Sequence, residues 1–262
     1  MNIEIIIGIL IFVFGLIFGS FYNVVGYRLP NKQSISFPPS HCVHCNHKLR
    51  FYELIPLFSY VFLGGKCLKC KTKISVIYPI FELFTGLLFL ISYIVFGLNI
   101  EFIIAITFIS ILIIITISDI RYYIIPDEII IFGSILLIIE LLIKSLITKN
   151  SIINGMVLPI LNGAASFAVL YLFKVLGDFI FKKESLGGGD IKLMFIIGLI
   201  LGFDMSLVGI FIASFIALPL SIYSLTKNNN NILPFGPYLS LASVLILLTK
   251  LNIETILNIL IK

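Results

Sequence analysis

The sequence predicts an all-α protein, a polytopic bundle of about eight transmembrane helices with a small metal-binding loop domain. Three observations support this. Hydrophobic residues make up 60% of the 262 residues and charged residues only 12%, and the mean hydropathy is +1.16. Apolar residues form long runs, whereas one basic segment contains all four cysteines. Soluble domains carry about 45–50% apolar and about 25% charged residues. A chain of this size could not bury so much apolar side chain in water, so lipid is its expected solvent.

The apolar runs define the predicted spans, because a membrane helix needs roughly 20 apolar residues. The runs cover residues 5–25, 77–97, 101–118, 129–147 and 153–176. A longer stretch from 191 to 225 is interrupted near Gly202 and divides into two spans, and a last run covers 233–249. Lipid offers no hydrogen-bond partners to the backbone, so these runs are expected to be helices rather than strands. The first run has neither a basic start nor a small-residue cleavage site, and we expect it to be a retained span.

The segment 27–76 is polar and strongly basic, with one acid, Glu53, against eight cations. Those cations are Arg28, Lys32, Lys48, Arg50, Lys66, Lys69, Lys71 and Lys73. A short loop this basic belongs on the cytoplasmic side. With eight spans, the amino terminus then lies outside and the loops near 119–128, 178–190 and 227–232 lie inside. The expected organisation is a first transmembrane helix at 1–26, a cytoplasmic loop domain at 27–76 and a membrane-embedded core at 77–262.

The four cysteines form two similar units, Cys42-x2-Cys45 and Cys67-x2-Cys70. Paired knuckles of this kind place four thiolates around one tetrahedral zinc ion. The 21-residue spacer slightly exceeds the usual zinc-ribbon range. Two disulfides are the alternative, which a cytoplasmic location disfavours. Zinc or a similar metal is therefore the predicted ligand, with a structural role, because a loop of about 50 residues has little core of its own.

Two acids, Asp119 and Asp190, end or open apolar runs that reach the same predicted membrane face. An ionisable group at such a boundary is by default a candidate functional residue. One carboxylate of a close pair can take a proton from water while the other donates one, which hydrolyses an amide without a metal. The preceding triplet Gly187-Gly188-Gly189 would let backbone approach a substrate strand.

Blander interpretations of the two acids remain open from the residues alone. Asp119 could pair with Arg121, and Asp190 could cap its helix while Lys192 extends to the interface. Intramembrane acids also serve proton or ion relays. A transporter would therefore use both acids as a relay, and a metal-binding scaffold would need neither. The net charge of +5 is explained by loops held inside, and no nucleic-acid partner is predicted.

The order of these motifs resembles that of the type IV prepilin peptidases, which are leader peptidases and N-methyltransferases. The matching segments are Gly19-Ser20-Phe21-Tyr22-Asn23, Tyr27-Arg28-Leu29-Pro30, both cysteine pairs, Ile55-Pro56-Leu57-Phe58-Ser59-Tyr60, Tyr78-Pro79-Ile80-Phe81-Glu82, Asp119 through Pro126-Asp127, Gly187-Gly188-Gly189-Asp190-Ile191-Lys192-Leu193 and Pro234-Phe235-Gly236-Pro237-Tyr238. They extend over nearly the whole chain. G-x-G-D alone is a short motif, but the ordered set is specific.

The resemblance implies an intramembrane aspartic protease with Asp119 and Asp190 as the catalytic pair and Gly187, Gly188 and Gly189 as an active-site loop. It implies cleavage of the short basic leader of type IV prepilins or pseudopilins, after a Gly, in the bacterial cytoplasmic membrane. In many family members the new amino terminus is then methylated from S-adenosylmethionine, an activity associated with the cysteine loop. This chain keeps that loop, with Glu53 where the family pattern suggests an amide or Asp.

Overall fold

A computed structural model describes residues 3–183, 186–226 and 233–255 of the chain. The described residues are mostly helical and contain no strands, only two isolated β-bridges. The prediction of an all-α polytopic membrane protein is therefore confirmed. The predicted inner loop at 227–232 and two residues of the loop at 178–190 lie outside the described residues.

The chain divides into two compact units, residues 1–98 and 99–262. In the first unit, α1 (Ile3–Arg28) packs along α3 (Ile77–Phe96), and the loop between them holds a 3₁₀ turn (Phe51–Leu54) and the short helix α2 (Phe58–Phe62). Glycine permits the close approach of α1 and α3, since a Cβ at Gly15 would lie 2.8 Å from the Cα of Gly86.

The second unit contains six described helices: α4 (Ile100–Tyr122), α5 (Asp127–Ile147), α6 (Leu158–Phe181), α7 (Gly188–Leu201), α8 (Phe203–Thr226) and α9 (Gly236–Thr249). A π-helical turn at Ile153–Val157 leads into α6. Helix α4 lies at the centre, with Phe108, Ile109 and Ile115 fully buried. Helices α5 and α9 pack against it.

Each of the eight predicted runs forms a helix, but two of these helices are shorter than a membrane span. Six helices of the described chain are long and apolar enough to cross a membrane. The other two, α7 and α9, have 14 residues each, about 21 Å at 1.5 Å per residue. That is less than the roughly 30 Å of a hydrocarbon core. The predicted break near Gly202 is confirmed, since this glycine has a φ of 83° between α7 and α8.

Candidate active site and metal centre

Asp119 lies in the last turn of α4, a helix that the sequence predicted to end at residue 118 but that continues to Tyr122. The chain leaves the helix through Tyr123 in the left-handed conformation. The Asp119 side chain is only 6% exposed, and its Oδ2 accepts a hydrogen bond of 3.1 Å from the backbone N–H of Gly236. Because Gly236 is the first residue of α9, the partial positive charge of that helix terminus faces the carboxylate.

Asp190 is the third residue of α7, directly after the glycine triplet. It is buried, with 7% of its surface exposed. Its Oδ1 is enclosed yet has no hydrogen-bond partner among the described residues. A buried carboxylate oxygen without a partner is uncommon and calls for an explanation. This oxygen can therefore accept a hydrogen bond from a molecule that enters the site.

Ile125 brings the elements that carry the two acids together. A Cβ atom at Gly189 would lie 2.7 Å from the Cβ of Ile125, and one at Gly236 would lie 3.3 Å from its Cδ1. The backbone on either side of the site is therefore packed directly onto this one side chain. The same Cβ at Gly236 would lie 2.6 Å from Asp119 Oδ2, and Gly189 directly precedes Asp190. The structure thus places both predicted acids in one buried site.

A second polar contact joins the same elements at the protein surface. Asp127, in the first turn of α5, forms an ion pair of 2.6 Å with Lys192, two residues after Asp190. Both side chains are about half exposed, and such pairs contribute about 0–1 kcal/mol to stability. The sequence analysis assigned no contact to Asp127, so its ion pair with α7 is a finding of the structure.

The three glycines before Asp190 differ in their surroundings. A Cβ at Gly189 would collide with Ile125, whereas one at Gly188 would meet no atom within 4 Å. A Cβ at Gly187 would lie 3.1 Å from Asp190 Oδ2. Gly189 is therefore required for packing, and Gly188 lies beside open space.

The four cysteines lie together in the first unit, with all their sulfur atoms within 4.8 Å of one another. The Cys42 and Cys70 sulfurs are 3.7 Å apart, and those of Cys45 and Cys67 are 3.9 Å apart. A tetrahedral zinc site with bonds of about 2.3 Å separates its sulfurs by about 3.8 Å. The set fits a metal ion, and all four cysteines are free rather than disulfide-bonded.

The electrostatics of the cysteine cluster also favour a cation. Hydrogen bonds from the Thr72 hydroxyl and backbone N–H lower the pKa of the Cys70 thiol to about 6. The backbone N–H of His47 lowers the pKa of Cys45, but burial and the neighbouring sulfurs outweigh it and raise that pKa to about 11. Four adjacent thiolates need a positive ion between them, and the thiolate is the metal-binding form.

Three buried acids were missed by the sequence argument or judged unremarkable. Glu53 is 7% exposed and accepts hydrogen bonds from His47 and from the Arg50 backbone. Glu82 accepts one from the Leu57 backbone at 2.8 Å. Glu140, inside α5, accepts one of 2.7 Å from Thr107. An acid within an apolar run is a sequence signal that could have identified Glu82 and Glu140.

Two family models match this chain. Residues 13–96 match the Bacterial Peptidase A24 N-terminal domain, and residues 106–222 match the Type IV leader peptidase family. No solved structure matches the protein significantly.

Curated relatives cover nearly the whole chain. A prepilin leader peptidase/N-methyltransferase of Bacillus subtilis (strain 168) is 37% identical over 239 residues, 90% of this chain and 92% of the relative. A protein of the same name from Pseudomonas putida is 29% identical, covering 88% of this chain and 86% of its own length. A Type 4 prepilin-like proteins leader peptide-processing enzyme of Escherichia coli O78:H11 is 32% identical, with 88% and 89% covered. With this identity over this length, the chain belongs to the type IV leader peptidase family.

Proposed function

We propose that this protein cleaves the leader from type IV prepilins or pseudopilins by aspartyl-catalysed hydrolysis and then methylates the new amino terminus. The observation that carries the proposal is the buried pair of Asp119 and Asp190, brought into one site by Ile125. The names of the relatives, which describe a leader peptidase and an N-methyltransferase, support both activities. The alternative of a proton-relaying transporter lacks a comparable observation.

In the proposed mechanism, the two carboxyl groups act as general base and general acid. The unprotonated one takes a proton from water, whose oxygen attacks the carbonyl carbon of the scissile peptide, while the protonated one donates to the carbonyl oxygen. On collapse of the tetrahedral intermediate the C–N bond breaks, the carboxyl group that took the proton from water donates it to the leaving amine, and a hydroxyl group of the intermediate returns its proton to the other carboxylate. The free Oδ1 of Asp190 is available for the water, and the Gly236 N–H fixes the orientation of Asp119.

The membrane orientation is part of the proposal. The basic loop at 27–76 favours the cytoplasmic side. Asp119 follows the third predicted span, which runs from outside to inside when the amino terminus is outside, so this end of the span would face the cytoplasm as well. We therefore place cleavage at the cytoplasmic face of the bacterial cytoplasmic membrane, with the amino terminus outside.

The metal ion would have a structural role, and S-adenosylmethionine would be a substrate of the second activity. Cys42, Cys45, Cys67 and Cys70 would hold a zinc ion that stabilises the loop, and the proteolytic steps need no metal. S-adenosylmethionine would supply the methyl group. The described residues contain no strand and hence no βαβ nucleotide-binding unit.

The test is an assay of membranes that contain the protein, mixed with a prepilin and S-adenosylmethionine and followed by mass spectrometry. We expect loss of the leader after a Gly and a mass increase of one methyl group on the product. Cleavage without methylation would remove the second activity from the proposal. No cleavage of several authentic prepilins would contradict the first.

Gly189→Ala is expected to reduce leader cleavage roughly 10- to 100-fold, the scale of a misplacement near 1 Å. The added methyl group would collide with Ile125, and overpacking of this kind costs about 1–3 kcal/mol. Gly209→Ala, in α8 and outside the active-site loop, is the control, because its methyl group would meet only an ordinary contact of 3.6 Å with Ile246 Cδ1. Initial cleavage rates of both variants check the prediction. Equal rates would show that the contact with Ile125 does not position Asp190.

A further inference from the structure

The segment between the two cysteine units, Phe51–Phe62, exposes an unusual amount of apolar surface. We call it the inter-knuckle segment. Phe51, Val61 and Phe62 are 86%, 73% and 84% exposed, and Phe58 is also exposed. Contiguous exposed apolar surface of this kind marks an interaction site rather than a water-facing loop.

Three exposed apolar side chains of α2 share one face of this short helix, and a tyrosine on the opposite face contacts the second cysteine unit. Phe58, Val61 and Phe62 follow the i, i+3, i+4 spacing of one helical face in α2. On the other side, the Tyr60 hydroxyl donates to the Ile74 carbonyl at 3.4 Å. The Tyr60 ring also packs against Gly65, where a Cβ would lie 2.8 Å from it. Tyr60 thus contacts the chain on both sides of the second cysteine unit, Cys67–Cys70, and the three apolar side chains lie on the face of α2 opposite to Tyr60.

The segment is tied to the membrane helices at Leu57. This residue has φ 60° and ψ −53°, and the Phe58 N–H donates to the Pro56 carbonyl at 2.6 Å. The three residues therefore form the rare, strained γ-turn with positive φ at its centre. Such strain persists only where the surroundings enforce it. Here the Leu57 N–H donates to the buried carboxylate of Glu82 at 2.8 Å.

The position of Glu82 in α3 determines where the segment is attached to that helix. Glu82 lies five residues after Ile77, the first residue of α3, about 7.5 Å along a helix axis. Its side chain extends back toward the amino-terminal end of α3. Helix α1 closes the other side, since a Cβ at Gly19 would lie 2.8 Å from the Glu82 Cα. The inter-knuckle segment is therefore attached near the amino-terminal end of α3, next to α1.

The flanks of the segment are cationic. Arg50 precedes Phe51 directly, and Lys66 follows Phe62 after three residues. The exposed cations of the two knuckles are Lys48, Arg50, Lys66, Lys69, Lys71 and Lys73. An apolar face flanked by Lys and Arg is the pattern of an interfacial element, because the cations are attracted to an anionic leaflet.

From these contacts we propose that the inter-knuckle segment is an interfacial membrane anchor that binds anionic lipid. Its apolar face enters the boundary between headgroups and acyl chains, and the flanking cations contact anionic headgroups. The anchor holds the two cysteine knuckles against the membrane surface. It does not depend on the proposed catalytic activity.

Tryptophan fluorescence tests the anchor, because the chain contains no tryptophan and each variant then has a single reporter. Phe62→Trp reports on the segment, and Val43→Trp is the matched control, at 82% exposure in the first knuckle. The full chain is placed in nanodiscs, which leave both membrane faces open to solvent. Quenching by lipids brominated on the acyl chains is compared with quenching by aqueous iodide.

We expect brominated lipid to quench most of the Phe62→Trp emission and iodide to quench little of it, with the reverse for Val43→Trp. Adding phosphatidylglycerol to phosphatidylcholine nanodiscs should increase the lipid quenching of Phe62→Trp. Iodide quenching equal to that of the control would overturn the anchor, and so would protection from both quenchers, which indicates a covering protein surface. Equal lipid quenching with and without phosphatidylglycerol would overturn the anionic-lipid part. If Phe62→Trp loses bound metal and hence its fold, Phe51→Trp reports on the same segment.

Discussion

Asp119→Asn and Asp190→Asn are each expected to reduce leader cleavage by at least roughly 10²- to 10⁴-fold, the usual contribution of a general acid or base. An amide has the shape of the carboxyl group but can neither take a proton from water nor donate one at the required step. Both residues are buried. Asp119 accepts a hydrogen bond from the Gly236 N–H, and Asp190 has an Oδ1 without a hydrogen-bond partner among the described residues. Initial rates of leader loss, followed by mass spectrometry, measure the effect.

Two controls separate chemistry from folding. Asp204→Asn changes an exposed acid in the first turn of α8 and should leave cleavage unchanged. Methylation of a peptide that already lacks its leader should continue in both active-site variants if they fold and the second activity is present. Normal cleavage by either variant would identify that aspartate as a structural cap and refute the catalytic assignment.

Cys67→Ser is expected to remove the bound metal almost completely and to unfold the loop between α1 and α3. Cys67 is the most buried of the four cysteines, with 3% exposed. Structural zinc contributes about 10–16 kcal/mol in zinc-finger peptides, so loss of one ligand removes most of what holds such a loop. Zinc per chain, measured by atomic absorption, should fall from about one to near zero, as one tetrahedral site predicts. Limited proteolysis should then cut within residues 27–76.

His44→Ala serves as the matched control in the same knuckle, because His44 is exposed and lies outside the cluster of four sulfurs. It should retain the metal. We expect Cys67→Ser to lose methylation while leader cleavage continues, because Asp119 and Asp190 belong to the second compact unit, residues 99–262. Undiminished zinc in Cys67→Ser, or wild-type protein without zinc and with two disulfides, would contradict the predicted metal centre.

The sequence alone determined which parts of this protein form apolar membrane helices and which residues are candidates for catalysis and metal binding. Apolar runs of about 20 residues must form helices in a membrane because the backbone has no other hydrogen-bond partners there. Paired C-x2-C units indicate a metal site with four thiolate ligands. Placing an acid at the membrane boundary costs free energy, so acids at the ends of apolar runs are candidate functional residues. The predicted break near Gly202 could also be read from the chain, because glycine alone tolerates its φ of 83° without strain.

Only the tertiary structure decided the contacts between residues far apart in the sequence. The Gly236 N–H reaches Asp119 over 117 residues, Lys192 reaches Asp127 over 65, and Leu57 reaches Glu82 over 25. Such contacts depend on how closely helices approach, which glycines such as Gly189 permit. They also depend on helix ends, which differ from the ends of apolar runs, as α4 shows by continuing through Asp119. Periodicity and composition describe each helix by itself, whereas the partner of a buried acid is set by packing between helices.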